Sequence, residues 1–272
     1  MDGVAKRTVE RWRDVSRTSR TPEFVEDVLA GEEPLEIRIS GDTLAVTMRT
    51  PGHDRELVLG FLWSEGIIRS PRDVSSLAPC ARAPNVVDVT LAPGVKPPED
   101  ADAPFARRGT LTTSACGVCG RRTIDDLVTR HPPLRVDSTL APRVITTSIA
   151  ALRDRQPLFA ATGGCHAASL VTFAGEPIDT FEDVGRHNAV DKVIGASVRR
   201  NAMPLDDRVL VVSGRSSFEI VQKAIAARIP VVVSVSAPSS LAVDLARAAG
   251  VTLCGFVRGD GFSVYASPER FA

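Results

Sequence analysis

The stretch SACGVCG, residues 114–120, sets two thiols, Cys116 and Cys119, at a Cys-x-x-Cys spacing among small side chains. Three chemistries use that arrangement: a structural metal site, a redox dithiol, and a cysteine that attacks and holds a sulfur atom. A structural zinc needs four ligands, commonly from two such pairs. No second pair occurs, so zinc would have to recruit Cys165, His166 or His187 across the fold. A thioredoxin-type dithiol sits at the end of a buried strand with a helix behind it, and the preceding FARRGTLTTSA makes a poor buried strand. A reactive thiolate meets fewer objections. The loop is glycine-rich, TIDDLVTRH behind it reads as a helix, and Arg121 and Arg122 are adjacent, all of which lower a thiol's pKa.

Other stretches could bind or react. TGGCHAA (162–168) invites comparison with zinc deaminases, but Ala168 stands where their proton-shuttling Glu must be, and the Cys-x-x-Cys precedes it. A deaminase-like shape without that reaction is compatible with the pattern. EDVGRHNAVDK (182–192) packs Glu182, Asp183, Arg186, His187, Asn188, Asp191 and Lys192 into a strand-to-helix junction, with Asn188 as the expected N-cap. The loops SGRSS (213–217), SAPSS (236–240) and RGDG (258–261) follow successive strands and should share one rim, where ligands of open α/β sheets lie. Ser213, Gly214, Ser236 and the helix N-termini behind them offer groups that suit phosphates, and Arg215 and Arg258 offer bidentate contacts.

These stretches need elements to hold them. In the second half, RVLVV (208–212), PVVVSVS (230–236) and VTLCGF alternate with the helical segments FEIVQKAIAARI and LAVDLARAAG, which predicts a parallel sheet wound by crossover helices. Ser216 and Glu219 read as a capping box for the first helix; Ser239 or Ser240 reads as the cap of the second, and Gly250 as its stop. HAASLVTFAGEPIDTFED predicts a hairpin, and NAVDKVIGASVRR a helix with Val190, Val193, Ile194 and Val198 on one face. In the first half, EPLEIRISGDTLAVTMRT predicts a hairpin around Gly41, DRELVLGFLWSEGII a helix stopped at Gly66, and NVVDVTLAP a strand. GVKPPEDADAP reads as a long loop. The expected class is α/β in three parts: a loose basic arm over 1–20 carrying Lys6, Arg7, Arg11, Arg13, Arg17 and Arg20, a small α+β domain over 21–112, and an α/β domain over 113–272 that opens with the thiol loop.

The 272 residues, 43% hydrophobic, suffice for a sizeable core. The 33 basic and 33 acidic residues cancel, which disfavours bulk nucleic-acid binding. No stretch reads as a signal peptide or membrane span, so a cytoplasmic protein is expected, with no nucleic-acid or membrane partner. The other cysteines, Cys80, Cys165 and Cys254, are scattered, as in a reduced chain rather than a disulfide framework. Cys254, in VTLCGFV, reads as a small core residue.

RTPGHDRELVLGFLWSEGII, SACGVCG, TGGCHAA, FEDVGRHNAVDKVIG, SGRSSFEIVQKA, SAPSSLAVDLARAAGVTLCGFVRG and YASPERF follow one another as the motifs of one family do. The chain resembles the formate dehydrogenase accessory sulfurtransferases, the FdhD family, from about residue 33 to its end. The resemblance implies a cytidine-deaminase-like fold, pairing as a homodimer, and an enzyme that takes persulfide sulfur from a cysteine desulfurase. It passes that sulfur to the molybdenum cofactor, a bis-molybdopterin guanine dinucleotide bound as substrate, before that cofactor enters formate dehydrogenase. By position, Cys116 would hold the persulfide and Cys119 assist or resolve it. The cofactor-binding segment would fall on Phe256, Val257, Arg258, Gly259, Asp260 and Gly261, with the rim residues and His187 completing the site. No tightly held metal is required. Cys165 departs from the pattern and is expected as a competing acceptor. A chaperone that inserts the cofactor without carrying sulfur, and a zinc-dependent hydrolase, are the other readings.

Overall fold

The computed structural model describes residues 3–12, 22–81, 83–96, 124–135 and 138–272. Where a loose arm was expected, β1 (Val4–Arg11) pairs antiparallel with β2 (Glu23–Ala30) as a separate two-stranded sheet. Cross-strand chemistry accounts for the difference. Val9 lies opposite Val25, and basic side chains of β1 meet acidic ones of β2, Lys6 with Glu26 at 2.7 Å and Arg11 with Asp27 at 3.4 Å. A charge run read on one strand alone does not reveal the strand that neutralises it.

The front sheet has the order β4-β3-β6-β5, built from the hairpin of β3 (Glu33–Ile39) and β4 (Asp42–Arg49), with β5 (Val74–Pro79) and β6 (Val86–Leu91). Helix α1 (Asp54–Ser64) follows and ends as expected: the Gly66 N–H donates to Trp63 O and the Ile67 N–H to Leu62 O, both at 2.9 Å.

The back sheet has the order β12-β11-β10-β9-β7-β8. β9 (Arg208–Val212), β10 (Val231–Ser234) and β11 (Thr252–Arg258) are parallel, as their alternation with helices predicts. β7 (His166–Thr172) joins antiparallel to β9 and to its hairpin partner β8 (Pro177–Asp183), and β12 (Gly261–Ala266) antiparallel to β11, so the whole sheet is mixed. Both faces are covered, which is why these strands read as unbroken apolar runs. Val209, Val211, Val231 and Val233 pack with α3 (Arg143–Arg153), near the short α4 (Pro157–Thr162). Leu210, Val212, Val232 and Leu253 face a second cluster that contains α2 (Ile124–Arg130), α5 (Arg186–Arg199), α6 (Phe218–Ala226) and α7 (Ser240–Ala249). That cluster runs on through α1 to Leu35, Ile37, Val87 and Val89 of the front sheet. The described parts of front and back therefore share one core.

Helix α5 is buried on every side from His187 to Val198, not along one stripe as its periodicity suggested, because α1 crosses the face that would otherwise meet water. The crossing is backbone on backbone. A Cβ on Gly195 would lie 1.8 Å from Glu56 O, and one on Gly60 would lie 1.9 Å from Asp191 O. Among the described residues no helix is long and apolar enough to cross a membrane.

Gly195→Ala is expected to lower stability by about 3 kcal/mol, since a methyl group has no space between two backbones. Urea unfolding followed by circular dichroism measures it, and a wild-type midpoint would contradict the close crossing.

Candidate functional site

The loops after β9 and β10 and the end of β11 do form one rim. The Ser239 N–H donates to Ser216 O at 3.0 Å, and the Phe256 N–H to Ser236 O at 3.3 Å. Ser213 is tied to the start of the neighbouring antiparallel strand: its N–H donates to Ala167 O, and its Oγ accepts from the Ala167 N–H, both at 2.9 Å. This brings His166 to the rim, with its ring against Gly214 and close to Arg186. Arg215 is exposed.

The remaining predicted positions divide. Phe256 is 46% exposed and holds a φ of 53°, a left-handed conformation uncommon for an aromatic residue and often found at functional sites. Val257 is 1% exposed and packs in the α3 cluster, so its side chain is not available to a ligand. Strand alternation puts Val257 inward while Phe256 and Arg258 face out. Arg258, Gly259, Asp260 and Gly261 form the exposed β11–β12 turn. Cys116 and Cys119 lie outside the described residues. Pro132 O accepts from Arg228, and Leu134 exchanges backbone contacts with Ala249 and Gly250, which fixes the C-terminal end of α2 at the far ends of α6 and α7.

The junction at EDVGRHNAVDK is mostly structural. Asp183 is fully buried; one oxygen meets Lys192 Nζ at 2.7 Å and the Thr50 N–H at 3.2 Å, the other accepts from the Gly185 N–H and from Asn188. Lys192 Nζ also donates to Thr50 O and Glu182 O. Asn188 is not the N-cap. Gly185 takes that position, and Asn188 is buried in the first turn, bonded to Met48 O at 2.7 Å, because the carboxylate of Asp183 already serves the helix start. Asp191 accepts two 2.8 Å bonds from Lys223 Nζ and one from Ser64 Oγ. Burial opposes the charge on Lys223, but Asp191, with Glu65 and Glu219, outweighs it, so the pKa of Lys223 is raised.

Only Arg186 and His187 of this stretch belong to the rim. His187 Nε2 lies 2.6 Å from Glu219 Oε2, 3.2 Å from Ser217 Oγ and 3.3 Å from Arg186 Nε. Arg186 Nε–H donates toward the same ring nitrogen that meets the Glu219 carboxylate, so Nε2 is shared between a guanidinium and a carboxylate. The predicted capping box is absent. Ser217 is the N-cap of α6 and makes no side-chain cap bond, Ser216 Oγ is buried without a partner, and Glu219 turns to His187 instead. A charged bond to imidazole outcompetes one to a backbone N–H. Burial pushes Glu219 up, but His187, Lys223 and Arg186 outweigh it, and its carboxyl is held below the ordinary range. Burial, with Arg186 and His187 adding like charge, lowers the pKa of His166.

Sequence reading missed the coupling of Glu219 and Lys223 to this site. The signal was present as two pairs spaced by four: His187 and Asp191 on one helix, Glu219 and Lys223 on the next. Packed side by side, the helices match His187 with Glu219 and Asp191 with Lys223.

Cys165 is buried beside Thr50, and burial, only partly opposed by Thr50, raises the pKa of its thiol. An accessible competing acceptor is therefore not what the fold makes of it. Cys254 is buried as expected, its thiol pushed up to about 12 by burial alone. Among the described residues no three side chains of His, Cys, Asp or Glu gather in a way that could hold a metal ion.

The model of the FdhD/NarQ family matches residues 30–272 of this chain. A sulfur carrier protein FdhD of Anaeromyxobacter dehalogenans is 53% identical over 90% of this chain and 89% of its own. Those of Streptomyces coelicolor and Mycobacterium tuberculosis are 47% and 49% identical, covering 98% and 90% of this chain and 95% and 91% of theirs. A crystal structure from Desulfotalea psychrophila, assigned as a formate dehydrogenase accessory protein, superposes with a TM-score of 0.77 over 99% of this chain and 100% of that one, at 23% identity; it shares the fold.

Lys223→Met leaves the Asp191 carboxylate buried without a counter-charge and is expected to cost about 4 kcal/mol, whereas Arg215→Ala at the exposed rim should change stability by under about 0.5 kcal/mol. Equal effects in chemical denaturation would contradict this division. The lowered pKa of Glu219 contributes stability that is present above the ordinary carboxylate range and lost as pH falls through and below it. Thermal unfolding of the wild type and of Glu219→Gln should therefore converge on acidification; a gap that widens would refute the assignment.

Proposed function

The chain belongs to the FdhD/NarQ family, and from that premise we propose that it is a sulfur carrier in formate dehydrogenase maturation, with Cys116 as the atom's resting place. What carries the reading is the likeness, at 47–53% identity over nine-tenths or more of the chain, to proteins named sulfur carriers, together with a thiol pair in a glycine-rich, arginine-flanked loop. The donor is a cysteine desulfurase bearing a persulfide. The Cys116 thiolate attacks the outer sulfur, the donor's cysteine leaves as thiolate, and Cys116 becomes the persulfide. Attack by the Cys119 thiolate on Cys116 Sγ then expels the outer sulfur as hydrosulfide and closes a disulfide. The dithiol supplies the two electrons that turn sulfane sulfur into sulfide, and a cellular thiol reopens the pair.

The recipient is the bis-molybdopterin guanine dinucleotide form of the molybdenum cofactor, bound as substrate. Its anionic phosphates would meet Arg186, Arg215 and Arg258 and the α6 N-terminus, which is not closed by a side-chain cap; these charges and this dipole suit phosphate. Phe256 offers an exposed aromatic face, and the backbone and turn of 256–261, rather than the Val257 side chain, would serve the nucleotide. Work as a homodimer in the reducing cytoplasm, hand-over to formate dehydrogenase, and a cytidine-deaminase-like ancestry for the mixed sheet complete the proposal.

Cys116→Ala should abolish formate dehydrogenase activity in cells that depend on this chain while leaving its circular dichroism unchanged. After incubation with a desulfurase and cysteine, mass spectrometry should find one added sulfur on the wild type and none on the variant. Full maturation by a carrier that never gains sulfur would instead support a chaperone that only inserts the cofactor.

A further inference from the structure

We infer that anion binding at the rim is proton-linked: His166 and Arg186 seat a phosphate group of the ligand above Gly214, and His166 takes up a proton as that group settles. The inference deepens the proposed cofactor site and rests on it. Two donors converge there. A Cβ on Gly214 would lie 3.4 Å from His166 Nδ1 and 3.8 Å from Arg186 Cδ, so the glycine leaves a niche walled by an imidazole and the stem of a guanidinium. Neither side chain is spent. Among the described residues His166 makes no side-chain hydrogen bond, and Arg186 makes one, from Nε to His187, with no ion pair to its terminal nitrogens. Both residues are half-buried. A histidine or arginine with a purely structural task finds a partner as it leaves water, whereas two open donors facing one glycine suit an oxyanion.

The proton follows from the charges around the ring. Arg186 and His187 on α5 oppose an imidazolium at His166. On β8, Asp183 lies opposite in register and favours it, but that carboxylate is already bonded to Lys192, the Thr50 and Gly185 N–H groups and Asn188. Glu219 on α6 meets His187, and Arg215, in the loop with Gly214, is exposed. With burial as the largest influence, the empty site therefore disfavours the charged ring. A phosphate in the niche reverses the balance. Its negative charge beside the ring favours the imidazolium, which then gives a charge-assisted bond in place of a neutral one. The empty rim is spared two unpaired cations side by side, and the filled rim has both. Affinity should rise as pH falls through the pKa of the ligated ring and level off below that of the empty one.

The test uses the full-length chain and diguanosine diphosphate, a guanine dinucleotide whose bridging phosphates do not titrate in the histidine range. Calorimetry in buffers of differing ionisation enthalpy counts the protons taken up on binding. The wild type should bind about tenfold more tightly at about pH 5 than at about pH 8, with uptake greatest between them. In His166→Gln the affinity should stay within about twofold over that range and the uptake should vanish. Arg186→Gln should bind about tenfold more weakly throughout, and wild-type affinity in that variant would overturn the seat. Sulfate, a free oxyanion that does not titrate there, should bind more weakly than the dinucleotide; equal affinity would assign the niche to a free anion and overturn the inference. NMR of the four histidine rings in the wild type gives a readout that needs no variant: one ring should titrate at higher pH with the dinucleotide than without, and no movement counts against the inference. Wild-type binding without proton uptake, or uptake that persists in folded His166→Gln, overturns the inference while the cofactor site stands. No binding by the wild type at any pH overturns that site and this inference together.

Discussion

Helices α1 and α5 cross so closely that neither Gly60 nor Gly195 has space for one more carbon. That contact seals the last side of α5, and much of the remaining architecture answers to it. A helix enclosed by a sheet, by α1 and by α6 cannot turn its polar side chains to water, so each must find a partner inside. Asp183 and Lys192 pair across the start of the helix, and Asp191 reaches Lys223 on the neighbouring helix. Ion pairs of this kind are seldom a net gain over apolar packing, but losing one partner is severe. Here they fix where α5 begins and how it is rotated, and so which residues it presents at its N-terminus.

What it presents is Arg186 and His187. Together with His166, Gly214, Ser217 and Glu219 they gather where the parallel strands end, beside the α6 N-terminus, which no side chain caps. The inner charges of the same helix pair are neutralised by one another, Asp191 by Lys223, while Arg186 stays at the rim beside His187. One short stretch of sequence thus does two different jobs, separated by a single helical turn: His187 at the rim, Asp191 in the core.

The two kinds of cysteine are separated by similar logic. Cys165 and Cys254 are enclosed, and burial raises the pKa of both thiols, which keeps them poor nucleophiles. Cys116 and Cys119 lie in a loop of small residues flanked by arginines, the setting that favours thiolate.

Much of this was legible in residue order. The β9-to-β11 alternation of apolar runs and amphipathic helices, the Gly41 hairpin, the Ser239 cap and the Gly66 and Gly250 stops all follow from local rules of periodicity and backbone geometry, which act over a few residues and are written in them. The thiol pair and the collinear motifs named the chemistry to expect. Tertiary structure alone decided the rest. Asn188 and Ser216–Glu219 both satisfy the local pattern of a helix cap, yet Asp183 and His187, brought in from outside those local patterns, compete for the same groups and win with charge. The basic residues of β1 look like a solvated tail until β2 lies beside them. Local chemistry proposes partners for each side chain, but a buried charge takes the strongest partner that folding brings within reach, and sequence spacing does not measure that distance.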